Sequence, residues 1–124
     1  MFGPGGFSYV YLCYGVHHLF NVVSNIEGIP HAILIRNMVP IMGLDTMLKR
    51  RGGKNIKLTG PGTLTQAMGI DKSHNAISLH SEKLRIEDHN IRINADNIIE
   101  TPRIGVDYAG EDAKLRYRFV TQII

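Results

Sequence analysis

Cysteine is almost absent from this chain: Cys13 is the only one in 124 residues. That excludes an intramolecular disulfide and a cysteine-built zinc site, and fits a reducing compartment such as the cytoplasm. Long apolar runs are missing too. None reaches the roughly 20 residues of a membrane span, and the N-terminus lacks a basic region followed by an apolar one. Neither membrane insertion nor secretion is expected. No internal repeat, low-complexity tract or linker interrupts the chain. Charged residues are 20% against 44% hydrophobic, a balance that argues against disorder. The six histidines His17, His18, His31, His74, His80 and His89 lack paired ligand spacing, so no metal is expected. The length predicts one compact domain. A net charge of +3 and a pI near 9.2 are compatible with a phosphate-bearing partner without establishing one.

What the chain does have is a tyrosine-rich strand. From Phe7 to Cys13 the alternation places Phe7, Tyr9, Tyr11 and Cys13 on one face and Ser8, Val10 and Leu12 on the other. Both faces are mostly apolar, so the strand is expected in the interior. Tyr14-Gly15 breaks it, and His17 to Ser24 resumes with strand-formers, which predicts a hairpin with Tyr14 near its tip. Asn21 shares a face with Leu19 and Val23; such an amide either bonds the backbone or reads a base edge. Ala32 to Arg36 reads as a short strand ending in a permanent cation, suited to a surface ion pair, a phosphate or a polarised water. By periodicity alone, Tyr9 and Tyr11 suit a packed core; as the wall of a base pocket, their electron-rich rings would attract a cationic, alkylated purine more than a neutral one.

Farther on, Pro40 is expected to open a helix carrying Ile41, Leu44, Met47 and Leu48 on one face, ended by Gly52-Gly53. Lys49, Arg50, Arg51, Lys54 and Lys57 then concentrate positive charge on a flexible connection, either a solvated loop or a track for a DNA backbone. Gly60-Pro61-Gly62 precedes a short helix, Thr63 to Met68, stopped by Gly69. The amides of Gly60 and Gly62 fit one phosphate or a tight turn; the lysine and Ser/Thr spacing of a P-loop is absent. Leu84 to Glu87 and Ile91 to Ile93 are expected to pair as a hairpin, and Pro102 to Val106 and Leu115 to Val120 to be extended. The predicted class is α+β, a mainly antiparallel curved sheet or open barrel of hairpins with a few short helices.

These motifs come in a telling order: Tyr9-Val10-Tyr11-x-x-Tyr14-Gly15, then Asn21, Leu-Ile-Arg ending at Arg36, Pro40-x-x-Gly43-Leu44-Asp45-Thr46-Met47, Gly60-Pro61-Gly62-x-Leu64-x-Gln66-Ala67, and Arg103-Ile104-Gly105-Val106-Asp107-Tyr108-Ala109-Gly110-Glu111. Together they closely resemble the alkyladenine (3-methyladenine) DNA glycosylase family, over almost the whole chain. The resemblance implies base-excision repair of double-stranded DNA carrying an alkylated or deaminated purine. The damaged nucleotide is flipped out and water cleaves its N-glycosylic bond, without a cofactor. It implies that Tyr14 enters the minor groove, Tyr11 stacks on the flipped base, Asn21 disfavours the exocyclic amino group of guanine, and Arg36 helps to position the water. A cytoplasmic monomer is implied, nucleoid-associated in a bacterium.

The departures carry expectations of their own. In the family, the water-activating glutamate, a second stacking tyrosine and a base-contacting histidine precede the tyrosine-rich strand, whereas this chain starts at Met1, a few residues before it. None of the eleven carboxylates falls in the two aromatic and apolar strands, so none stands out as a general base. The family's customary lysine is replaced by Thr63, and its last segment is missing. The expectation is a family glycosylase represented by a short piece that is inactive or weakly active alone. The alternatives are a non-catalytic module for damaged DNA and a degenerate remnant, and uncovered core surface would favour association.

Overall fold

The computed structural model describes residues 5–13, 15, 17–24, 31–56, 58–102 and 118–121. Contacts divide the chain into two compact units, Met1–Glu87 and Asp88–Ile124. The first contains a three-stranded antiparallel sheet, β1 (Ser8–Cys13), β2 (His17–Val23) and β3 (Ala32–Leu34), and two helices, α1 (Leu44–Arg50) and α2 (Pro61–Met68). The second contains the antiparallel pair β4 (Ile98–Thr101) and β5 (Arg118–Thr121). The α+β expectation is met, with short helices beside antiparallel sheets that do not close.

Strands β1 and β2 form the predicted hairpin. Their ladder runs from Ser8 opposite Val22 to Cys13 opposite His17, so residues 14–16 connect them. Gly15, at φ 68°, lies in the left-handed region where a side chain would be strained. The other edge of β1 is covered by the chain at 74–79. The Ser8 amide donates to the Ile77 carbonyl (2.9 Å), the Ala76 amide to the Ser8 carbonyl (3.0 Å), and the Val10 amide to the Asn75 side chain (2.9 Å). The buried Ser8 hydroxyl donates to the His74 carbonyl and accepts from the Ile77 amide. These bonds meet the requirement that buried polar groups find partners.

One core cluster joins Val10 and Phe20 of the sheet to Ile70 and Leu79; a second joins Met47 of α1 to Leu58 and Ala67. Helix α2 serves both, because Met68 packs against each. Its Leu64 and Ala67 are wholly shielded from solvent. Gly60 precedes the helix in extended backbone, Pro61 begins it, and Gly69 ends it at φ 69°. The Gly-Pro-Gly and Gly69 punctuation was read correctly, although the helix starts two residues earlier than expected.

Three expectations need correction. Strand β1 is interior only in its first half: Ser8 and Val10 are buried, whereas Tyr11 and Leu12 are each 37% exposed, because the covering segment bonds no farther along β1 than Val10 among the described residues. Pro40 does not open α1. Gly43, at φ 73°, interrupts helical backbone just ahead of Leu44, leaving Ile41 and Met42 82% and 80% exposed. The hairpin expected over 84–93 is not formed. A single bridge joins His80 to Arg85, while the Asp88 carboxylate turns the next stretch by accepting from the Asn90 amide and from Arg92. Strand β4 at Ile98–Thr101 is a strand that the sequence reading does not include, whereas β5 contains the Arg118–Val120 part of the expected last extended stretch; residues 103–117, with most of the stretch expected from Pro102 and the Arg103-to-Glu111 motif, lie outside the described residues.

Candidate base-pocket face and hairpin cleft

In an antiparallel ladder, directly opposed residues project to the same side. The register places Tyr9 opposite Asn21, Tyr11 opposite Leu19, and Cys13 opposite His17. All six therefore belong to one face of the hairpin. Sequence alternation gave each strand's faces separately; the register joins them and brings the candidate ring and the candidate amide together. The Tyr9 and Tyr11 rings lie 5.2 Å apart at 32°, within the range of favourable aromatic pairs. The partial exposure of Tyr11 leaves ring surface available.

Asn21 is buried, and its side-chain amide donates to the Tyr9 carbonyl at 3.3 Å. The backbone-bonding alternative is thus realised for its NH₂ group. On β3, Leu34 stands opposite Asn21, and the Ile35 amide continues the ladder to the Phe20 carbonyl (3.0 Å). Ile35 packs against the Val10 and Phe20 cluster, so extended alternation returns Arg36 to the face of Leu34 and Asn21. Arg36 is half-buried and makes no hydrogen bond or ion pair with the other described residues. A half-buried cation without a partner among the described residues is suited to an anion or a polarised water.

Toward the hairpin's end the same face opens into a cleft of about 360 Å³, lined by Cys13, His17 and Leu19 and, across from them, Gly60, Pro61, Gly62 and Thr63. A second, of about 310 Å³, lies between His17 and His18 on one side and Gly62, Thr65 and Gln66 on the other. His17 and Gly62 border both. No described carboxylate lines either cleft, and no cluster of described His, Cys, Asp or Glu residues is placed to hold a metal ion. Tyr14, the expected wedge, lies outside the described residues, between Cys13 and Gly15 in the sequence.

The residues expected along a DNA backbone make several bonds within the chain. The Gly60 amide donates to Thr63 Oγ1 (3.2 Å), and that hydroxyl donates back to the Gly60 carbonyl (2.9 Å). Arg50, in the last turn of α1, donates to the Ala67 carbonyl at 3.1 Å and lies over Gly69. Arg51 donates to the Gln66 side chain (2.5 Å) and to Asn55 (3.5 Å). These arginines hold α2 to α1, instead of lying on a loose connection as the sequence suggested. Lys54 is exposed; Lys57 lies outside the described residues. Sequence reasoning had not given His17 a place at the cleft. The available signal was its position as the first strand residue after the loop.

The chain matches the family model of the methylpurine-DNA glycosylases over residues 1–123. It is 42% identical over 127 aligned residues to a Chlamydia felis protein provisionally named 3-methyladenine DNA glycosylase, covering 99% of this chain and 64% of that protein. An Arabidopsis thaliana protein named DNA-3-methyladenine glycosylase is 41% identical over 113 residues, covering 88% of this chain and 44% of its own length. A relative from Methanoculleus marisnigri, with the same provisional name as the Chlamydia protein, is 41% identical, covering 94% and 62% respectively. The chain thus spans less than two thirds of the length of these curated relatives. With a family match running nearly end to end over the hairpin, cleft and helix described above, the chain belongs to the methylpurine-DNA glycosylase family.

Proposed function

We propose that this chain forms the wedge and one wall of a base-flipping site that acts on alkylated or deaminated purines in duplex DNA, within base-excision repair. The observation that carries the reading is the β1–β2 register, which gathers Tyr9, Tyr11, Leu19 and Asn21 on one face of the hairpin; Tyr14 falls between the two strands in the sequence. In this reading Tyr14 fills the gap left in the stack, and Tyr11 offers its exposed ring to the extruded base. An electron-deficient, alkylated purine gains more from such a ring than a neutral one does. Asn21, fixed by its bond to the Tyr9 carbonyl, presents a polar edge that admits adenine-type bases and disfavours guanine's amino group. Arg36 supplies positive charge to orient the attacking water.

Hydrolysis of an N-glycosylic bond also needs a base to take the water's proton. Because no described carboxylate lines the clefts, the 124-residue polypeptide by itself is proposed to bind damaged DNA without cutting it. Ethenoadenine is fluorescent and is quenched by stacking within a duplex, so it serves as both ligand and probe. Titration into a duplex with one such base is expected to change its fluorescence and to leave no alkali-labile site. Tyr11→Ala is expected to lose about 1–3 kcal/mol of stacking, or roughly 5- to 150-fold in affinity. An unchanged signal with wild-type protein would overturn the base-flipping reading, and enzymatic base release would overturn the inactivity of the polypeptide alone.

A further inference from the structure

We infer that helix α2 is the buttress of the wedge hairpin, with Gly62 and Thr65 as its positioning residues. This inference rests on the proposed role of the hairpin loop. The ladder ends at Cys13 and His17, so the path of the connecting loop depends on where that last pair sits. Helix α2 meets the hairpin there at two consecutive strand residues, His17 and His18. At Gly62, an added Cβ would come within 2.8 Å of His17 Cγ and Nδ1 and 3.0 Å of its Cβ, so the backbone of α2 lies directly against the His17 side chain. One turn on, the buried Thr65 hydroxyl lies 2.8 Å from the His18 carbonyl and 3.0 Å from that of Gly62. One contact is steric and fixes the distance between helix and strand. The other is a directional hydrogen bond that fixes how far along the strand the helix sits.

A buttress must itself be held. The far end of α2 is tied to α1 by Arg50 at the Ala67 carbonyl, and its inner side is anchored by the fully buried Leu64 and Ala67. The outer half of the hairpin has less support of its own, because Tyr11 and Leu12 are partly exposed. The Gly-Pro-Gly segment thereby has a role other than holding a phosphate. Gly60 spends its amide on Thr63, and Gly62 is small because His17 occupies the space a side chain would fill. Placing a wedge ring in a base-sized gap demands positional accuracy, so a small shift at the last pair of the hairpin ladder reaches recognition before it reaches stability.

The test compares affinity for a duplex containing an abasic analogue with affinity for the intact duplex, alongside the thermal midpoint. Gly62→Ala improves helix propensity while driving a methyl group into His17. It is expected to lower the affinity ratio about tenfold, with little change in the midpoint, as when a positioned group is displaced by a fraction of an ångström. In the His17→Ala background, where the ring is gone, the same alanine at 62 is expected to leave the ratio unaltered, which a double-mutant cycle reads directly. Independently, Thr65→Val removes the hydrogen bond and is expected to lower the ratio several-fold, and Thr65→Ser to restore it. If wild-type protein discriminates and Thr65→Val keeps the full ratio, or Gly62→Ala does so while folded, the buttress is refuted. If wild-type protein shows no discrimination, the base-flipping reading fails first, a distinguishable result. Should Gly62→Ala fail to fold, the valine and serine variants at 65 decide the matter.

Discussion

Arg50→Met separates a structural role from a DNA-contacting one. In the folded chain the guanidinium donates to the Ala67 carbonyl at 3.1 Å and covers Gly69, where a Cβ would approach its Cζ to 2.9 Å. It thus satisfies one of the otherwise orphaned carbonyls at the end of α2 and places positive charge at the negative end of the helix dipole. Hydrogen bonds from charged groups are worth about 1.5–3 kcal/mol when well shielded. Arg50 is largely exposed, so screening reduces the expected loss to about 1 kcal/mol. Methionine retains much of the aliphatic stem's packing. For a unit of this size, about 1 kcal/mol corresponds to a fall of about 4–8 °C in the thermal midpoint, measured by circular dichroism. Duplex binding is titrated in parallel at several salt concentrations. The slope of log K against log salt should be unchanged in Arg50→Met, whereas Lys54→Gln, at an exposed cation, should reduce it by about 0.9 if that lysine neutralises a phosphate. An unchanged midpoint together with a slope reduced by about 0.9 in Arg50→Met would refute the structural assignment.

Further outcomes follow from the same geometry. Leu64→Ala, at a wholly buried site on α2, should lower the urea-derived stability by about 2–5 kcal/mol; a loss below about 1 kcal/mol would mean that α2 is not anchored as described. Hydrogen bonds from Ser73, with His74 contributing, hold the Asp71 carboxyl down at about 2 from an ordinary 3.8. A depressed carboxylate pKa favours the folded state above the ordinary value, and that contribution is lost as pH falls from about 4 towards 2. Asp71→Asn should therefore flatten the acid limb of the midpoint-against-pH curve in that window, and an unaltered limb would contradict the assignment.

Much of the hairpin was legible because its determinants are local: alternating residues on either side of a glycine that permits the left-handed turn. Helix α2 was legible for the same reason, with Pro61 near its start and Gly69 at its end. The register was not legible. It depends on which residues close the loop, and a one-residue slip would carry Tyr9 to the opposite face from Asn21. The use of Arg50, Arg51, Gly62 and Thr65 was hidden too, since their partners lie on other elements: Ala67, Gln66, His17 and His18. A cationic run reads as a loose loop until the Ala67 carbonyl and the Gln66 side chain that its arginines bond are seen. The difference at α1 has a local cause: Pro40 is a common helix opener, but the left-handed backbone of Gly43 sets the boundary.

The most direct test of the central claim is the ratio of affinities for abasic-analogue and intact duplexes, measured at one salt concentration for the wild-type chain and for Tyr14→Ala. A hairpin that inserts a ring into an emptied stack should bind the gapped duplex more tightly, and removing that ring should bring the ratio close to one. Equal affinity of the wild-type chain for the two duplexes, or a preference that survives Tyr14→Ala undiminished, would contradict the account.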